Sequence, residues 1–551
     1  MHPSEGHDMT ALPATRIAII GSGPTGLYTL FALIEHGEPC RIDVFEKGEN
    51  AGIGMPYNDA ENIRLMLANI ASIEIPPIGE TYLDWIQRQP PARLERFGVD
   101  PAAATERSFF PRLMLGDYFR DQYLWLIDQA RQRGLAVSTY ENCEVSDIDV
   151  RDDGAWVTAP CFDAPVPYDR VVIATGHVWP DESEATRSYF PSPWSGLVDA
   201  AIPAVAVGIL GTSLSGIDAA MAVATQHGTF RSGHDGAMEY LRDAGSEGLS
   251  ITLMSRSGIL PEADFYCPIP YGPMKVASAE AIARAIAAGS DGLLDRVFAL
   301  VVQEIAMSDP AYAQRMALET RTADDFAHSY FADRKNHDPF RWAEYNLAVV
   351  EKNKAERRTV EWRYAILRLH EQVQEIVPHL TDADRERFDT GLSTVFVDNY
   401  AAVPSESIRR LLALRAAGVI ELLDMGTEYE KLREGEATVI VIDGQRYHYD
   451  VFIDARGQRP LQSKDLPFPS LRRLLLAHGV DIPDVGDDYA LLAPPLASGR
   501  IAFGALPYLI HDRPFIQGIT ASAEIGRAIG SQQRSKTPRA RRRLAFFDQS
   551  G

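Results

Sequence analysis

The sequence predicts an α/β protein with two Rossmann-like dinucleotide-binding domains, the second inserted into the first and carrying a largely helical insertion of its own. Residues 17–46 read as a strand, a glycine turn, a helix and a second strand that ends on an acid. An imperfect copy of this unit begins at residue 207. Two similar strand ends, near residues 174 and 455, mark where the chain would pass between the domains. A glycine turn between a strand and a helix of a βαβ unit is typical of dinucleotide binding.

In the first copy, three glycines meet different steric demands. Gly21 permits the tight turn out of the strand, Gly23 lets a pyrophosphate approach the backbone, and Gly26 lets the helix lie close to the sheet. The helix N-terminus offers unpaired N–H groups to that pyrophosphate. Glu46 follows Gly26 by 20 residues, where a carboxylate can accept from both hydroxyls of an unphosphorylated ribose. The alternative is a glycine-rich turn in an ordinary α/β domain. The predicted binding residues are Gly21, Ser22, Gly23, Pro24, Thr25, Gly26 and Glu46.

The second copy has Gly211, Ser213 and Gly216 at the three glycine positions. Serine is small enough to leave the backbone approachable, although it weakens the match. A stretch rich in glycine and charge, residues 227–248, delays the closing strand, and we interpret it as a surface insertion.

The strand that closes the second copy ends in Ser255 and Arg256 instead of an acid. A guanidinium beside a hydroxyl suits a 2'-phosphate, so NADPH is favoured over NADH. Alternatively, Arg256 is a solvated residue at a strand end. One unit that prefers an unphosphorylated ribose and one that prefers a phosphorylated ribose together predict FAD in the first and NADPH in the second.

The two strand ends give the domain organisation. Ala174, Thr175 and Gly176 follow one apolar strand, and Ala455, Arg456 and Gly457 follow the other. We predict an FAD-binding domain of residues 14–203 and 457–531, an NAD(P)-binding domain of residues 204–456, and a basic, solvated tail of residues 532–551. Helical periodicity fills about 278–415, which predicts either a lid or substrate wall or an oligomer surface.

Composition excludes some classes of protein. The 54 basic and 76 acidic residues give a net charge of −22, which argues against nucleic acid or an anionic membrane as a partner. No segment has the pattern of a signal peptide or a membrane span, so a cytoplasmic protein is expected. The oligomeric state stays open.

The four cysteines indicate which redox chemistry to expect. Cys40, Cys143, Cys161 and Cys267 are far apart in the sequence and form no CxxC or similar close pair. Flavoprotein disulfide reductases pass electrons through a dithiol, so the sequence disfavours this class of enzyme. Without clustered histidine and cysteine, no metal site is predicted.

Several long segments carry a resemblance to a known family. They include GSGPTGLYTLFAL, MLANIASIEIPPI, ATGHVWPDE, GTSLSGIDAAMAV, LMSRSGILPEADFYCPIPY and VFIDARGQRPL. These segments run through nearly the whole chain and resemble the YdhS-type FAD/NAD(P)-binding proteins, which implies both cofactors. More distantly, GIGMPY and LANIAS resemble stretches of bacterial flavin monooxygenases that oxidise amino nitrogen. That similarity implies that Tyr57 and Asn69 lie near the flavin.

The chain also departs from common flavoprotein patterns. The FxGxxxH signature of the flavin-containing and Baeyer–Villiger monooxygenases is missing after Gly176, where His177, Trp179 and Trp194 have a different arrangement. GALP stands at residues 504–507, where many FAD enzymes have an aspartate for the ribityl chain. The other predicted cofactor contacts are Val145, Thr175, Gly176, Gly457, Gly504 and Gln517.

These patterns predict an FAD-dependent, NADPH-using oxidoreductase, in particular a monooxygenase acting on a small molecule. Oxygen activation by a flavin needs no protein nucleophile, dithiol or metal. A dehydrogenase or reductase without oxygen insertion stays open, as does a sensor that holds the nucleotides without turnover.

Four polar residues in apolar segments are candidates for catalysis. Arg112 and Arg368 could bind an anionic substrate, and His370 or His511 could move a proton. Alternatively, the arginines are solvated charges and the histidines are satisfied structural groups.

Overall fold

Two five-stranded sheets organise the chain in the computed structural model, which describes residues 15–59, 62–179, 185–233 and 237–531. The predicted basic tail, residues 532–551, lies outside the described residues.

The first βαβ unit and the strands beside it form one parallel sheet. Up to residue 179 the strands and α-helices are β1 (Thr15–Ile20), α1 (Pro24–His36), β2 (Cys40–Phe45), α2 (Tyr82–Arg88), α3 (Pro91–Glu95), α4 (Arg112–Gln132), β3 (Ala136–Tyr140), β4 (Asp147–Arg151), β5 (Gly154–Thr158), β6 (Val166–Tyr168) and β7 (Arg170–Ile173). Strand β1 lies between β2 and β7, and β3 pairs with β2. The central strands read as continuous apolar runs because helices cover both faces of a parallel sheet. Strands β4, β5 and β6 form a separate antiparallel sheet.

The second unit begins after residue 185. Its elements up to residue 255 are β8 (Tyr189–Phe190), β9 (Ala206–Leu210), α5 (Leu214–Ala224), β10 (Gly228–Ser232), β11 (Met238–Arg242) and β12 (Ser250–Ser255). Strands β10 and β11 form an antiparallel hairpin inside the stretch interpreted as an insertion. Strand β12 then pairs in parallel with β9, which completes the βαβ unit.

The segment that follows is helical. It contains α6 (Ala279–Ala287), α7 (Leu293–Ser308), α8 (Pro310–Arg315), α9 (Phe326–Lys335), α10 (Pro339–Glu356), α11 (Glu361–Val373), α12 (Asp382–Thr390), α13 (Leu392–Tyr400) and α14 (Ser405–Ala416). Most of these helices share a core of their own, whereas α10 and α14 pack in the core of the second sheet, and α11 contributes to both. The apolar faces of the segment are therefore divided between two cores.

Strands return after α14: β13 (Ile420–Asp424), β14 (Glu430–Glu434), β15 (Ala437–Ile442), β16 (Gln445–Tyr449) and β17 (Val451–Asp454). The second parallel sheet has the order β13-β12-β9-β17-β8. Alternating residues of its strands face opposite sides. Ile209, Leu253 and Ile453 pack in the core that contains α5, and Leu210, Met254 and Phe452 pack beneath the antiparallel β14–β15–β16 meander.

The end of the described chain returns to the first sheet. Its elements are α15 (Pro469–Ala477), β18 (Ile501–Phe503) and α16 (Gly518–Ser531). Strand β18 pairs in parallel with β7, and α16 packs closely on α1, where Gly526 and Gly530 face Tyr28 and Ala32. The predicted fold class, with one Rossmann-like domain inserted into another, is confirmed. Within the described ranges, no helix is both long and apolar enough to span a bilayer.

Candidate functional site

The first glycine turn connects β1 to α1 and leaves no space for side chains. Gly21 has φ +95°, and a Cβ there would lie 2.3 Å from the carbonyl oxygen of Ala174 and 3.2 Å from Cα of Thr175. A Cβ on Gly26 would lie 2.0 Å from the carbonyl oxygen of Gly21. Both glycines are therefore required, because they let the turn contact the end of β7 and let α1 contact the turn.

A second loop covers the N-terminus of α1. Gly23 is the N-cap of this helix and Pro24 occupies its first position. A Cβ on Gly54 would lie 3.0 Å from Cα of Gly23 and 2.9 Å from Cδ of Pro24. Backbone without side chains thus faces the helix N-terminus from two directions, and this bare site fits a pyrophosphate.

Glu46 lies immediately beyond β2, with its carboxylate already anchored. Ser22 donates to Oε2 from its backbone N–H at 3.2 Å and from its hydroxyl at 2.5 Å, and the N–H of Gly48 donates to Oε1 at 2.9 Å. The Ser22 hydroxyl in turn accepts from the N–H of Gly52. Oε2 already accepts two hydrogen bonds, whereas Oε1 can accept one more, so the group is held in place and can still receive a ribose hydroxyl.

The second glycine turn repeats the geometry of the first. Gly211 has φ +137°, and a Cβ there would lie 2.8 Å from the carbonyl oxygen of Ala455. A Cβ on Gly216 would lie 2.2 Å from the carbonyl oxygen of Gly211. Ser213 is the N-cap of α5, but its exposed side chain makes no capping hydrogen bond. The replacement of a glycine by Ser213 therefore leaves the turn intact.

At the end of β12, Ser255 and Arg256 have different environments. The Ser255 hydroxyl accepts from the N–H of Gly258 at 3.2 Å. Arg256 is exposed, and no hydrogen bond or ion pair joins its guanidinium to another residue of the described chain. This cation is therefore available to a ligand bound at the second turn.

The two linkers between the sheets lie side by side. The backbone N–H of Val178, beyond β7, donates at 3.0 Å to Oε1 of Gln458, beyond β17. Gly176 has φ +73°, a backbone conformation that favours glycine, whereas Gly457 borders open space. The predicted cofactor contacts at these two strand ends therefore lie where the two linkers run side by side.

A buried ion pair joins the two dinucleotide-binding units. Nη2 of Arg112, at the start of α4, lies 2.7 Å from Oδ2 of Asp218 on α5, and both side chains are largely buried. The contact is close but is not aligned as a hydrogen bond. Nε of Arg112 donates to the carbonyl oxygen of Leu67, and its guanidinium lies 5.5 Å from the ring centre of Trp194. Burial raises the pKa of Asp218, although Arg112 opposes the shift. These contacts give Arg112 a structural role, so its binding of a substrate anion stays a prediction.

Three buried polar atoms near this joint have no hydrogen-bond partner within the described chain: Oδ1 of Asn69, Nδ1 of His177 and Nε1 of Trp179. The His177 and Trp179 rings are stacked, and Trp179 contacts Trp194. Burial lowers the pKa of His177, which keeps its imidazole neutral. Buried polar atoms without partners are costly unless a ligand or water satisfies them. Together with the bare first turn, they fit a dinucleotide whose ring end lies at the joint.

Tyr57 packs edge-to-face on Phe119, and burial raises the pKa of its phenol to about 12. Gly504 follows β18, and a Cβ there would lie 2.7 Å from Cγ2 of Thr25, so the C-terminal segment closes on the first turn. Val145 is buried beyond β3. Gln517 is exposed and donates to the hydroxyl of Tyr400. Of these predicted contacts, only Gly504 adjoins the first turn directly.

The other candidate arginine, Arg368, is buried and already has partners. Its Nη1 donates to the carbonyl oxygens of Gly272 and Pro273 at 3.1 and 2.9 Å, and its guanidinium stacks over the ring of Tyr364. Two backbone carbonyls therefore satisfy Nη1, and the binding of a substrate anion by Arg368 stays a prediction.

The two candidate histidines differ in their surroundings. His370 contacts the rings of Tyr400 and Phe515, and burial lowers its pKa to about 4, so it is neutral near pH 7. Nε2 of His511 is buried and has no hydrogen-bond partner in the described ranges, while its carbonyl oxygen accepts from Arg385. Proton transfer by either histidine stays a prediction.

The four cysteines form no CxxC or similar close pair in the sequence, but two of them come together in the fold. Cys143 and Cys161 form a disulfide across 18 residues. The pairing of β4 with β5 places the residues before Asp147 beside those after Thr158, and this brings the two cysteines together. The N–H of Cys143 donates to the carbonyl oxygen of Glu46, so the disulfide lies behind the predicted ribose site.

The sequence did not reveal the residues that join the two units. Asp218 and Gln458 make the contacts across the joint, and Cys143 ties the loop behind Glu46. A local signal existed only for Asp218, which is a single acid in the otherwise apolar helix LSGIDAAMAVA.

Two protein families match this chain. Residues 18–178 match the FAD-NAD(P)-binding family, and residues 278–400 match the YdhS-like middle domain. The chain therefore carries an FAD-NAD(P)-binding domain. YdhS of Escherichia coli (strain K12) is 56% identical over 531 residues, which cover 96% of this chain and 99% of that protein.

Solved structures with similar folds have low identity to the chain. The ornithine N-hydroxylase of Kutzneria sp. 744 is 14% identical with a TM-score of 0.49, over 94% of this chain and 98% of the hydroxylase. The bacillithiol disulfide reductase of Bacillus cereus is 12% identical with a TM-score of 0.42, again over 94% and 98%. Likenesses this low do not indicate a shared reaction.

Proposed function

The chain belongs to the YdhS-like family, and we propose that it is an FAD-dependent oxidoreductase that uses NADPH and inserts oxygen into a small molecule. Its coarser character, a flavoprotein oxidoreductase fold with an FAD-NAD(P)-binding domain, follows from the family match over residues 18–178. Amines are the first substrate class to test, because the segments around Tyr57 and Asn69 resemble those of flavin enzymes that oxidise amino nitrogen.

The observation that carries the proposal is the pair of glycine turns with opposite charges at their ribose ends. The anchored Glu46 carboxylate suits ribose hydroxyls and would repel a 2'-phosphate. The exposed guanidinium of Arg256 suits that phosphate. Two dinucleotides of different kinds on one chain support a redox enzyme that takes electrons from one and passes them through the other.

The chain's own residues would position the two cofactors and shield the space between them. FAD, when bound, would accept a hydride from the nicotinamide and pass electrons to oxygen or another acceptor. Gly23 and Gly54 would admit its pyrophosphate, and Glu46 would hold its ribose. Arg112 and Asp218 would fix the second domain against the first, which would hold the two glycine turns in a constant orientation.

A dithiol relay has less support than oxygen chemistry. The Cys143–Cys161 disulfide lies behind Glu46, at the ribose end of the first site and not at the joint. The Cys267 thiol is buried, and burial raises its pKa to about 12, so it is protonated near pH 7 and is a poor nucleophile.

The first experiment tests whether the protein catalyses a redox reaction with a nicotinamide nucleotide. The purified protein is mixed with NADPH or NADH under argon, and the visible absorbance of the flavin is followed. We expect bleaching that is faster with NADPH. A yellow protein that neither nucleotide bleaches would support a nucleotide-holding sensor and would contradict the proposal.

The second experiment separates oxygen insertion from simple reduction. The reduced protein is exposed to isotopically labelled oxygen in the presence of small amines, and the products are analysed by mass spectrometry. Label in an organic product supports a monooxygenase. Label found only in peroxide or water, with an electron acceptor reduced instead, supports a dehydrogenase or reductase.

A further inference from the structure

A small cavity lies outside both glycine turns, between the edge strand β8 and the meander strand β14. Its volume is about 280 Å³. The residues that line it are Thr186, Tyr189, Lys431, Leu432, Arg433 and Thr438. Ligand sites of this size take small molecules.

Two cations project into this cavity from alternate positions of β14. Lys431 and Arg433 are separated by one residue, so their side chains lie on the same face of the strand. Nζ of Lys431 lies 5.4 Å from the ring centre of Tyr189, and the guanidinium carbon of Arg433 lies 5.6 Å from the same centre. The Tyr189 ring stacks on Phe452 at an interplanar angle of 3°, and Nζ of Lys431 also lies 5.6 Å from the Phe452 ring centre.

The two cations lack full neutralisation within the described chain. The partners of Arg433 are neutral, since it donates to the hydroxyls of Ser188 and Thr438. Lys431 lies 3.9 Å from the carboxylate of Asp454, but that carboxylate already binds Arg456 through two hydrogen bonds of 2.8 and 2.7 Å. The cavity is therefore positively charged in a chain whose net charge is −22. Two like charges side by side on a strand are unfavourable unless an anion is bound between them.

The cavity lies at the edge of the second sheet that is farther from the predicted NADPH ribose site. Arg256 follows β12, whereas the cavity borders β8, and β9 and β17 separate these two strands. Three strand spacings amount to about 14 Å. The cavity is therefore separate from the 2'-phosphate site, although Asp454 lies next to the Ala455 carbonyl that contacts Gly211.

We propose that this cavity binds a small phosphate-bearing dianion, either free phosphate or a phosphate monoester. Arg433 offers remaining N–H donors and Lys431 an ammonium group, and charge-assisted bonds of this kind are strong. The volume of about 280 Å³ limits the ligand to one phosphate group with a small substituent. The site needs neither FAD nor NADPH, so its binding can be tested apart from turnover.

The test is calorimetric titration of the FAD-loaded protein with inorganic phosphate and, separately, with glycerol phosphate. We expect saturable binding of at least one of them, weakened at least about tenfold in both Lys431→Met and Arg433→Gln. Arg446→Gln is the matched control, because Arg446 is an exposed cation of the same meander that pairs with Glu434 outside the cavity. It should leave the affinity unchanged. Tighter binding of glycerol phosphate than of phosphate would assign a monoester, and the reverse would assign the free ion.

Three results would overturn the proposal. The first is the absence of saturable binding of either probe. The second is equal weakening in Arg446→Gln, which would mean diffuse charge and not a site. The third is competition with NADP⁺ together with loss of binding in Arg256→Ala, which would make the cavity part of the dinucleotide site. Lys431→Met guards against misfolding of Arg433→Gln, because among the residues that the structure describes the one hydrogen bond of Lys431 is a long one to the Tyr189 hydroxyl.

Discussion

The two glycine turns have the same backbone geometry but different surroundings. In each, the first glycine contacts the carbonyl oxygen at the end of a neighbouring strand, and the third contacts the carbonyl oxygen of the first. The first turn is enclosed by Gly54 and Gly504, and its ribose carboxylate is anchored. The second has an exposed Ser213 and an exposed Arg256. The two sites therefore share the backbone of the turn and differ in the groups that surround it.

We infer that the first site keeps its cofactor while the second exchanges it. A preformed, enclosed site loses little conformational freedom on binding, and release requires its covering loop to move. An open site with an exposed cation releases its ligand more readily. This division suits a bound flavin and a consumable nicotinamide nucleotide.

The largest effect is expected from matched alanine substitutions of the third glycines. Gly26→Ala and Gly216→Ala would each place a Cβ 2.0 or 2.2 Å from a backbone oxygen, which the helix can relieve only by shifting. Overpacking of this kind costs about 3 kcal/mol, or about a hundredfold in affinity. We expect Gly26→Ala to purify without bound FAD, and Gly216→Ala to keep FAD but lose reduction by NADPH. Loss of FAD from both variants would show that the two units do not act separately.

The ion pair between the units should have the next largest effect. Asp218→Asn leaves the Arg112 guanidinium buried without a counter-charge, which costs about 3 to 5 kcal/mol of unfolding free energy. Urea denaturation measures this loss, and exposed Asp199→Asn is the control. An unchanged midpoint of urea denaturation would show that the ion pair does not stabilise the contact between the two units.

The disulfide lies beside the enclosed first site and not beside the open second one, so its removal should affect the two sites differently. Cys143→Ser removes a crosslink spanning 18 residues, and crosslinks of this length contribute about 3 kcal/mol. We expect a lower melting temperature and faster FAD loss, with no change in the KM for NADPH. Wild-type protein treated with dithiothreitol should match the variant, and a difference between them would assign the effect to the serine.

Local patterns predicted the fold and the glycine turns because a GxGxxG turn, its strand and its helix are contiguous in sequence. Arg256 was also proposed from its fixed place after a strand, and its role stays a prediction. The Arg112–Asp218 pair and the Cys143–Cys161 disulfide join elements distant in sequence, so no spacing rule revealed them. Lys431 and Arg433 stand in the charged strand EKLRE, whose pattern alone does not show that one face is opposite an aromatic ring.

The smallest expected effect concerns the two ribose ends directly. Arg256→Ala removes a cation that has no partner in the described chain, so the fold should be unaffected and only a 2'-phosphate should lose a contact. A charge-assisted hydrogen bond contributes about 1.5 to 3 kcal/mol, so the KM for NADPH should rise at least about tenfold while that for NADH stays constant. Glu46→Gln is the matched change at the enclosed site, and it should speed FAD release without altering either KM. Equal increases in both KM values for Arg256→Ala would contradict the assignment of NADPH to the second site, because a residue that reads only the phosphate cannot affect a nucleotide that lacks it.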